Sequence, residues 1–302
     1  MDWDVVVVGG GPAGLSAALM LGRCRRKVLV VDAGKPRNRR AAEAHGYLTR
    51  DCIQPLELLR LGRQELTPYG VEFRHCEALD ASRLDGGAFE TLLAGGERVR
   101  STMLLIATGV VDHIPEIEGI QDFYGTSVHH CPYCDGWEER DRPIAVYGKG
   151  GKSATGLALA LKTWSADVVL CTDGPGRLGR EEASKLAREG IPIRAEKIAR
   201  LEGSGGRLQF IVFQTGSTLE REALFFSTGQ RQRSGLAEKL GCEFNDKGTV
   251  RTNIREATNV PGLYVAGDAS KDVQFVIVAA AEGAKAAVAI NKALQEREGL
   301  KP

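Results

Sequence analysis

One pattern constrains this chain more than any other: a buried strand, a glycine turn and a helix, occurring twice. Val5-Val6-Val7-Val8 is a continuous β-branched run of the kind that suits a strand covered on both faces. Gly9-Gly10-Gly11-Pro12-Ala13-Gly14 follows, then a helical stretch from Leu15 to Gly22, then a second strand, Val28 to Val31, ending at Asp32. The plan returns in the middle of the chain. Ile144 to Tyr147 reads as a strand, Gly148-Lys149-Gly150 as a turn, Ser153 to Trp164 as a helix and Val168 to Cys171 as the next strand. Two such units predict an α/β protein with two three-layer dinucleotide-binding, Rossmann-like domains.

In the first turn, Gly9, Gly11 and Gly14 have separate duties. The first makes the tight turn, the second lets backbone approach a pyrophosphate, and the third lets helix and strand pack closely. The helix start offers free N–H groups to phosphate. Asp32, about twenty residues beyond the first glycine, stands where a ribose hydroxyl finds an acceptor.

The chain has 302 residues, 43% of them hydrophobic, and a net charge of +1. That balance gives no support for a general affinity for nucleic acid or anionic membrane. The basic clusters Arg23 to Lys27 and Arg37 to Arg40 read as solvated edges. No apolar run approaches the roughly 20 residues that span a bilayer, and the apolar start lacks the basic region of a signal peptide. Of seven cysteines, only Cys131 and Cys134 are closely spaced. This pattern fits a cytoplasmic protein with free thiols and one redox pair.

Cys131-Pro132-Tyr133-Cys134-Asp135-Gly136 is the chemically loaded segment. Two cysteines at this spacing can close a small, exchangeable disulfide. A helix starting there would activate the first thiol through its dipole, and Asp135 could trade protons with a thiol. His129 and His130 either tune the thiols or sit exposed in a loop. Zinc is not expected, because no second Cys-x-x-Cys or His pair completes four ligands.

Ala107-Thr108-Gly109 after the strand Leu104-Leu105-Ile106, the Cys131/Cys134 pair with Asp135-Gly136, and Tyr264-Val265-Ala266-Gly267-Asp268 together resemble the low-molecular-weight thioredoxin reductase family. The resemblance implies FAD on the first turn, contacted by Gly9, Gly11, Pro12, Ala13, Gly14, Asp32, Ala33, Ala78, Ala107, Thr108 and Gly109. It implies that Gly267 and Asp268 hold the ribityl–phosphate region and that Gln274, followed by Phe275, lies beside the isoalloxazine. Asn38 and His45 match the flavin-side segment loosely. It also implies roles: Cys134 faces the flavin, Cys131 exchanges with the substrate disulfide, and Asp135 is the general acid/base. The FAD domain would be discontinuous, residues 1–112 with 244–302. A dithiol-bearing domain, 113–243, would be inserted in it, and the protein would be a homodimer.

The second turn departs from that family. Members grip the 2′-phosphate of NADPH with arginines where this chain has Thr172, Asp173 and Gly174. A carboxylate there repels a 2′-phosphate, so tight NADPH binding is not expected. Three options stand for Gly148, Gly150 and Asp173: NADH, another adenine dinucleotide such as a second FAD, or an empty scaffold. Val273 also replaces an arginine usual before Gln274. Relatives with eroded nicotinamide motifs and a proline inside the dithiol include reductases fed by ferredoxin and dithiol oxidases that pass electrons to oxygen. The expected function is therefore flavin-dependent disulfide/dithiol exchange with a thiol substrate, either a thioredoxin-like protein or a small dithiol. The alternatives are an NAD(P)H-dependent thioredoxin reductase and a non-enzymatic flavoprotein redox sensor.

Overall fold

The computed structural model describes residues 2–175, 178–271 and 273–300. They fall into two compact units: 1–39 with 46–111 and 231–302, and 40–45 with 112–230.

The first unit is built on a sheet whose central strands are parallel. Trp3–Val8 lies between Val28–Val31 and the long strand Arg98–Ile106. Glu72–Arg74 extends the sheet beyond Val28–Val31, and Leu263–Val265 pairs with the far half of Arg98–Ile106. Its near half pairs antiparallel with Phe89–Leu93, which in turn pairs with Ala78–Arg83. Alternation divides the valines between two cores. Val5 and Val7 meet Ala17, Ala18 and Leu21 of the helix Pro12–Arg23, and Ala286 and Ile290 of the helix Val276–Arg297. Val6 and Val8 face the opposite core, with Phe89 and Leu93 of the antiparallel strands. The result is helices, sheet and β-layer: three layers.

Close approach of the two helices is written in glycine. A Cβ on Gly283 would come within 2.0 Å of the Ala13 carbonyl oxygen. The alanine-rich face of Val276–Arg297 is what such a packing distance requires.

The second unit repeats the scheme around a parallel sheet ordered Ile193–Arg194, Val168–Cys171, Ile144–Tyr147, Ala223–Phe226, Val128–His129. Ile144, Val146, Leu170 and Phe225 bury against Ala154, Ala158 and Leu161 of the helix Gly151–Leu161. Ala145, Tyr147, Cys171 and Phe226 bury against Ile198, Leu201, Ile211 and Phe213. Those last residues belong to an antiparallel sheet of Ile198–Ser204, Arg207–Phe213 and Thr218–Glu220.

Candidate active site

In the second unit the chain leaves the sheet at His129 and reaches Cys131 in extended conformation (φ −121°). Pro132 has no N–H and a fixed φ, which suits the first helical position. The Cys131 carbonyl accepts from the N–H groups of Cys134 and Asp135 at 3.3 Å each, and Pro132–Asp135 forms a single turn. That turn sets the Cα atoms of Cys131 and Cys134 5.3 Å apart, and their sulfurs are joined in a disulfide. Gly136 is required here: a Cβ would sit 2.4 Å from the Pro132 carbonyl oxygen and 2.8 Å from the Trp164 ring. The helix that the sequence placed at the dithiol is present as a single turn with Cys131 at its N-cap. A single turn carries only its first-turn N–H groups, and full charges beside the dithiol come from side chains.

Those side chains are buried. His129 is 5% exposed, with Nδ1 3.3 Å from Asp135 Oδ1 and Nε2 3.5 Å from Glu139 Oε1. Glu139 is 1% exposed and is itself paired with Arg142 at 3.0 Å and Arg207 at 2.9 Å. Burial pushes the His129 pKa down, but the carboxylates of Asp135 and Glu139 outweigh it and lift the value to about 9. The two carboxylates thus favour the charged imidazolium, and His129 is not an exposed loop histidine. His130 is partly buried, with Nδ1 3.4 Å from the Tyr124 hydroxyl and Nε2 3.8 Å from Asp112. Glu139, Arg142 and Arg207 escaped the sequence reading. The one available signal was Glu139 standing four residues after Asp135, on the same side of any helical turn.

The same unit carries the second glycine turn. Gly150 takes φ +86° and opens the helix Gly151–Leu161, while a Cβ on Gly148 would lie 2.7 Å from that of Ala154. At the end of the next strand, Asp173 sits in left-handed conformation (φ +54°). Its Oδ2 accepts from the Tyr147 hydroxyl and its Oδ1 from the Ile198 N–H, both at 2.9 Å. Burial, with the Asp173 carboxylate beside it, raises the Tyr147 pKa.

The first unit brings together most of the residues expected around the first turn. A Cβ on Gly9 (φ +112°) would stand 2.3 Å from the Ala107 carbonyl oxygen, and one on Gly14 would stand 1.9 Å from that of Gly9. Gly11 has nothing within 4 Å on that side. Pro12 begins the helix and Ala13 is buried. Asp32 Oδ1 accepts from the Gly10 N–H at 3.1 Å. Gly109 and Gly267 both have positive φ, and a Cβ on Gly267 would touch that of Ala13 at 3.0 Å. Asp268 and Gln274 are tied by Arg37, whose guanidinium donates to Asp268 Oδ2 at 2.9 Å and Gln274 Oε1 at 2.7 Å. Arg37 is therefore no solvated edge; its side chain is 17% exposed. Beneath this loop, Glu282 Oε2 accepts from the Gly267 N–H at 2.8 Å. Burial lifts the Glu282 pKa to about 7, a rise that this hydrogen bond opposes.

The remaining expected residues are less central. Ala33 is exposed, while Asn38 and Ala78 are partly buried and Phe275 precedes the last helix. His45 lies in the second unit, its Nε2 3.7 Å from Glu138.

A model of the pyridine nucleotide-disulphide oxidoreductases matches residues 3–283. The chain belongs to this family. Among curated relatives it is 30% identical over 275 residues to the thioredoxin reductase tcpT of Claviceps purpurea, covering 88% of this chain and 86% of the relative. Among solved structures, the protein HlmI superposes with a TM-score of 0.95 at 35% identity, covering 98% of this chain and 94% of that one. An oxidoreductase from Agrobacterium tumefaciens gives 0.89 at 32% identity, over 98% and 99%. The protein is thus a thioredoxin reductase-like flavin disulfide oxidoreductase, an enzyme acting on sulfur groups.

The residues present fit a flavin dinucleotide. The Oγ1 of Thr108 is buried and has no partner within the protein. Thr91, Ser101 and Thr155 also carry buried, unpartnered hydroxyls; that of Thr108 belongs to the Ala107-Thr108-Gly109 segment beside the first turn, where a bound group could meet it. Gly11 leaves open the side on which a pyrophosphate would lie. No helix among the described residues is long and apolar enough to cross a membrane.

Proposed function

We propose that the enzyme moves an electron pair between a thiol substrate and FAD through Cys131–Cys134, without NADPH as its working partner. The first unit would hold FAD and the second would bear the dithiol. The observation that carries the reading is the Cys131–Cys134 disulfide beside Asp135, whose Oδ1 is occupied by His129 and whose Oδ2 has no hydrogen-bond partner among the described residues.

That arrangement supports a balanced exchange. Asp135 Oδ2 takes the proton from a substrate thiol. The thiolate attacks Cys131 Sγ, the Cys131–Cys134 bond breaks, and Cys134 Sγ leaves with the electron pair. The second substrate thiol gives up its proton and attacks the substrate sulfur of the mixed disulfide, releasing Cys131. The substrate loses two electrons and two protons and becomes a disulfide; the protein pair gains both. The reverse order reduces a disulfide, such as that of a thioredoxin-like protein. FAD, when bound, supplies a two-electron acceptor and donor for the pair. Thr108, Gly11 and the Arg37–Asp268–Gln274 cluster are the groups that would bind and orient it.

The second turn supports the same reading. Each oxygen of Asp173 accepts one hydrogen bond within the protein, so the carboxylate has a structural role that does not depend on a nucleotide.

The test is anaerobic stopped-flow reduction. Dithiothreitol should bleach the flavin at a turnover-competent rate, and Cys134→Ser should abolish this. Neither NADPH nor NADH should do so. Bleaching by either nucleotide within milliseconds would refute the proposal.

A further inference from the structure

We propose that His129 is a positioning residue for Asp135: it holds Oδ1 so that Oδ2 is presented to the sulfurs. This rests on the dithiol reading given above. Three observations carry it.

The first is the pairing itself. His129 is the last residue of a sheet strand, in register with Phe225, whose ring lies 5.1 Å from the imidazole. A ring at the end of a strand and packed against a neighbour has little rotational freedom. Its Nδ1 is 3.3 Å from Asp135 Oδ1, so the carboxylate is ion-paired with a ring of little freedom.

The second is the distribution of charge. Glu139 already has Arg142 and Arg207 as partners. A cation at His129 is surplus to the needs of Glu139. Asp135, by contrast, has no other ion-pair partner among the described residues. A buried imidazolium without a matching carboxylate is costly, and Asp135 is the carboxylate that matches it. The remaining ring in contact, Phe225, is apolar. The groups facing His129 are thus Asp135 and Glu139, with the two arginines beyond Glu139.

The third is the weakness of the alternative. Were His129 only a brace for Glu139, the Nε2 contact would be the tighter one. It is the longer of the two, at 3.5 Å against 3.3 Å; both are ion-pair contacts.

The two faces of the ring can be separated by substitution. An asparagine amide falls near the place of Nδ1, and a glutamine amide falls near that of Nε2. If His129 positions Asp135, His129→Asn retains the donor that matters and His129→Gln loses it. We expect His129→Gln in the holoenzyme to slow dithiothreitol reduction of the Cys131–Cys134 disulfide about 10- to 100-fold, the size typical for the supporting partner of a reacting group. The reduction is followed by acid quench and mass spectrometry. His129→Asn should recover most of the loss. In an Asp135→Asn background, His129→Gln should add less than about twofold, because residues acting through one another are non-additive. Rescue by Gln rather than Asn, or effects that multiply in the double variant, would overturn the role.

A readout that leaves His129 intact guards against misfolding of these variants. Nitrogen-15 NMR of the imidazole should show Asp135→Asn lowering the His129 midpoint by more than one pH unit. An unmoved midpoint would sink the proposal. Cys134→Ser reports separately on the dithiol reading: loss of exchange there, alongside an unmoved midpoint, rejects the His129 role alone.

Discussion

Replacing Asp173 by alanine separates a residue that holds the fold from one that holds a nucleotide. The substitution removes acceptors for the Tyr147 hydroxyl and the Ile198 N–H, each 2.9 Å away. Hydrogen bonds to a charged acceptor contribute about 1.5–3 kcal/mol each when buried. Asp173 is only partly buried, so the lower end applies, about 1.5 kcal/mol for each. Tyr147, 4% exposed, is left with an unmet hydroxyl, which is part of the same loss and is not counted twice. Alanine also tolerates the left-handed φ of +54° less well than aspartate does. The sum is about 3–4 kcal/mol. At roughly 2–4 °C per kcal/mol for a unit of this size, Tm should fall by about 6–16 °C. Scanning calorimetry of the flavin-loaded protein measures this, with NADH and NADPH titrations run beside it. The expected result is a large drop in Tm with no change in nucleotide affinity. An unchanged Tm with a tenfold loss of NADH binding would refute the reasoning, because the carboxylate would then be serving a ligand.

Two further outcomes are expected. Glu282 has its pKa raised from 4.5 to about 7, so the folded protein binds more protons than the unfolded chain between those values, and stability falls as pH rises through that window. The contribution is on the order of 3 kcal/mol. Glu282→Gln should flatten the urea midpoint between pH 4.5 and 7, and an equally steep profile would assign the slope elsewhere. Gly283→Ala places a methyl 2.0 Å from a backbone oxygen that cannot yield, so the helices Pro12–Arg23 and Val276–Arg297 must part. A loss of about 3 kcal/mol or more, together with reduced flavin retention by absorbance, is expected; wild-type Tm and flavin content would contradict this packing.

What could be read from the sequence was what backbone geometry demands. Gly9, Gly14 and Gly267 are places where a Cβ collides or φ is positive, and such demands leave glycine in the sequence. The valine runs, alternating between two cores, likewise marked a covered parallel sheet. Side-chain pairings across long separations left no such trace. Arg37 sits in a run of basic residues that looks solvated, yet its partners Asp268 and Gln274 lie more than two hundred residues away. Glu282 is one acid in an alanine-rich helix, and nothing near it announces a bond to Gly267. His129 could be seen as close to the dithiol, but its burial follows from the strand register with Phe225, which no local pattern encodes.

The two carboxylates that end corresponding strands make the same point about function. Asp32 directly follows its strand and Asp173 stands one residue further beyond the corresponding strand of the second unit; by sequence Asp32 is an acceptor for a ribose, and Asp173 is one only if its site takes NADH or another dinucleotide. Asp32 has one oxygen on the Gly10 N–H, while its other has no partner among the described residues; Thr108 Oγ1 is buried and unmet. Asp173 has both oxygens taken, one by a tyrosine on the neighbouring strand. A buried polar group must find a partner or carry a penalty, so a site that keeps a ligand shows unmet groups without it, whereas a site that has lost one gains internal partners. By that criterion the first turn keeps an unmet hydroxyl at Thr108 and the second keeps one at Thr155 in its helix Gly151–Leu161, while the Asp173 carboxylate has gained internal partners. Electrons in the proposed cycle would reach the flavin through sulfur. The residues that govern the rate would be those around Cys131 and Cys134, and not those around Gly148 and Gly150.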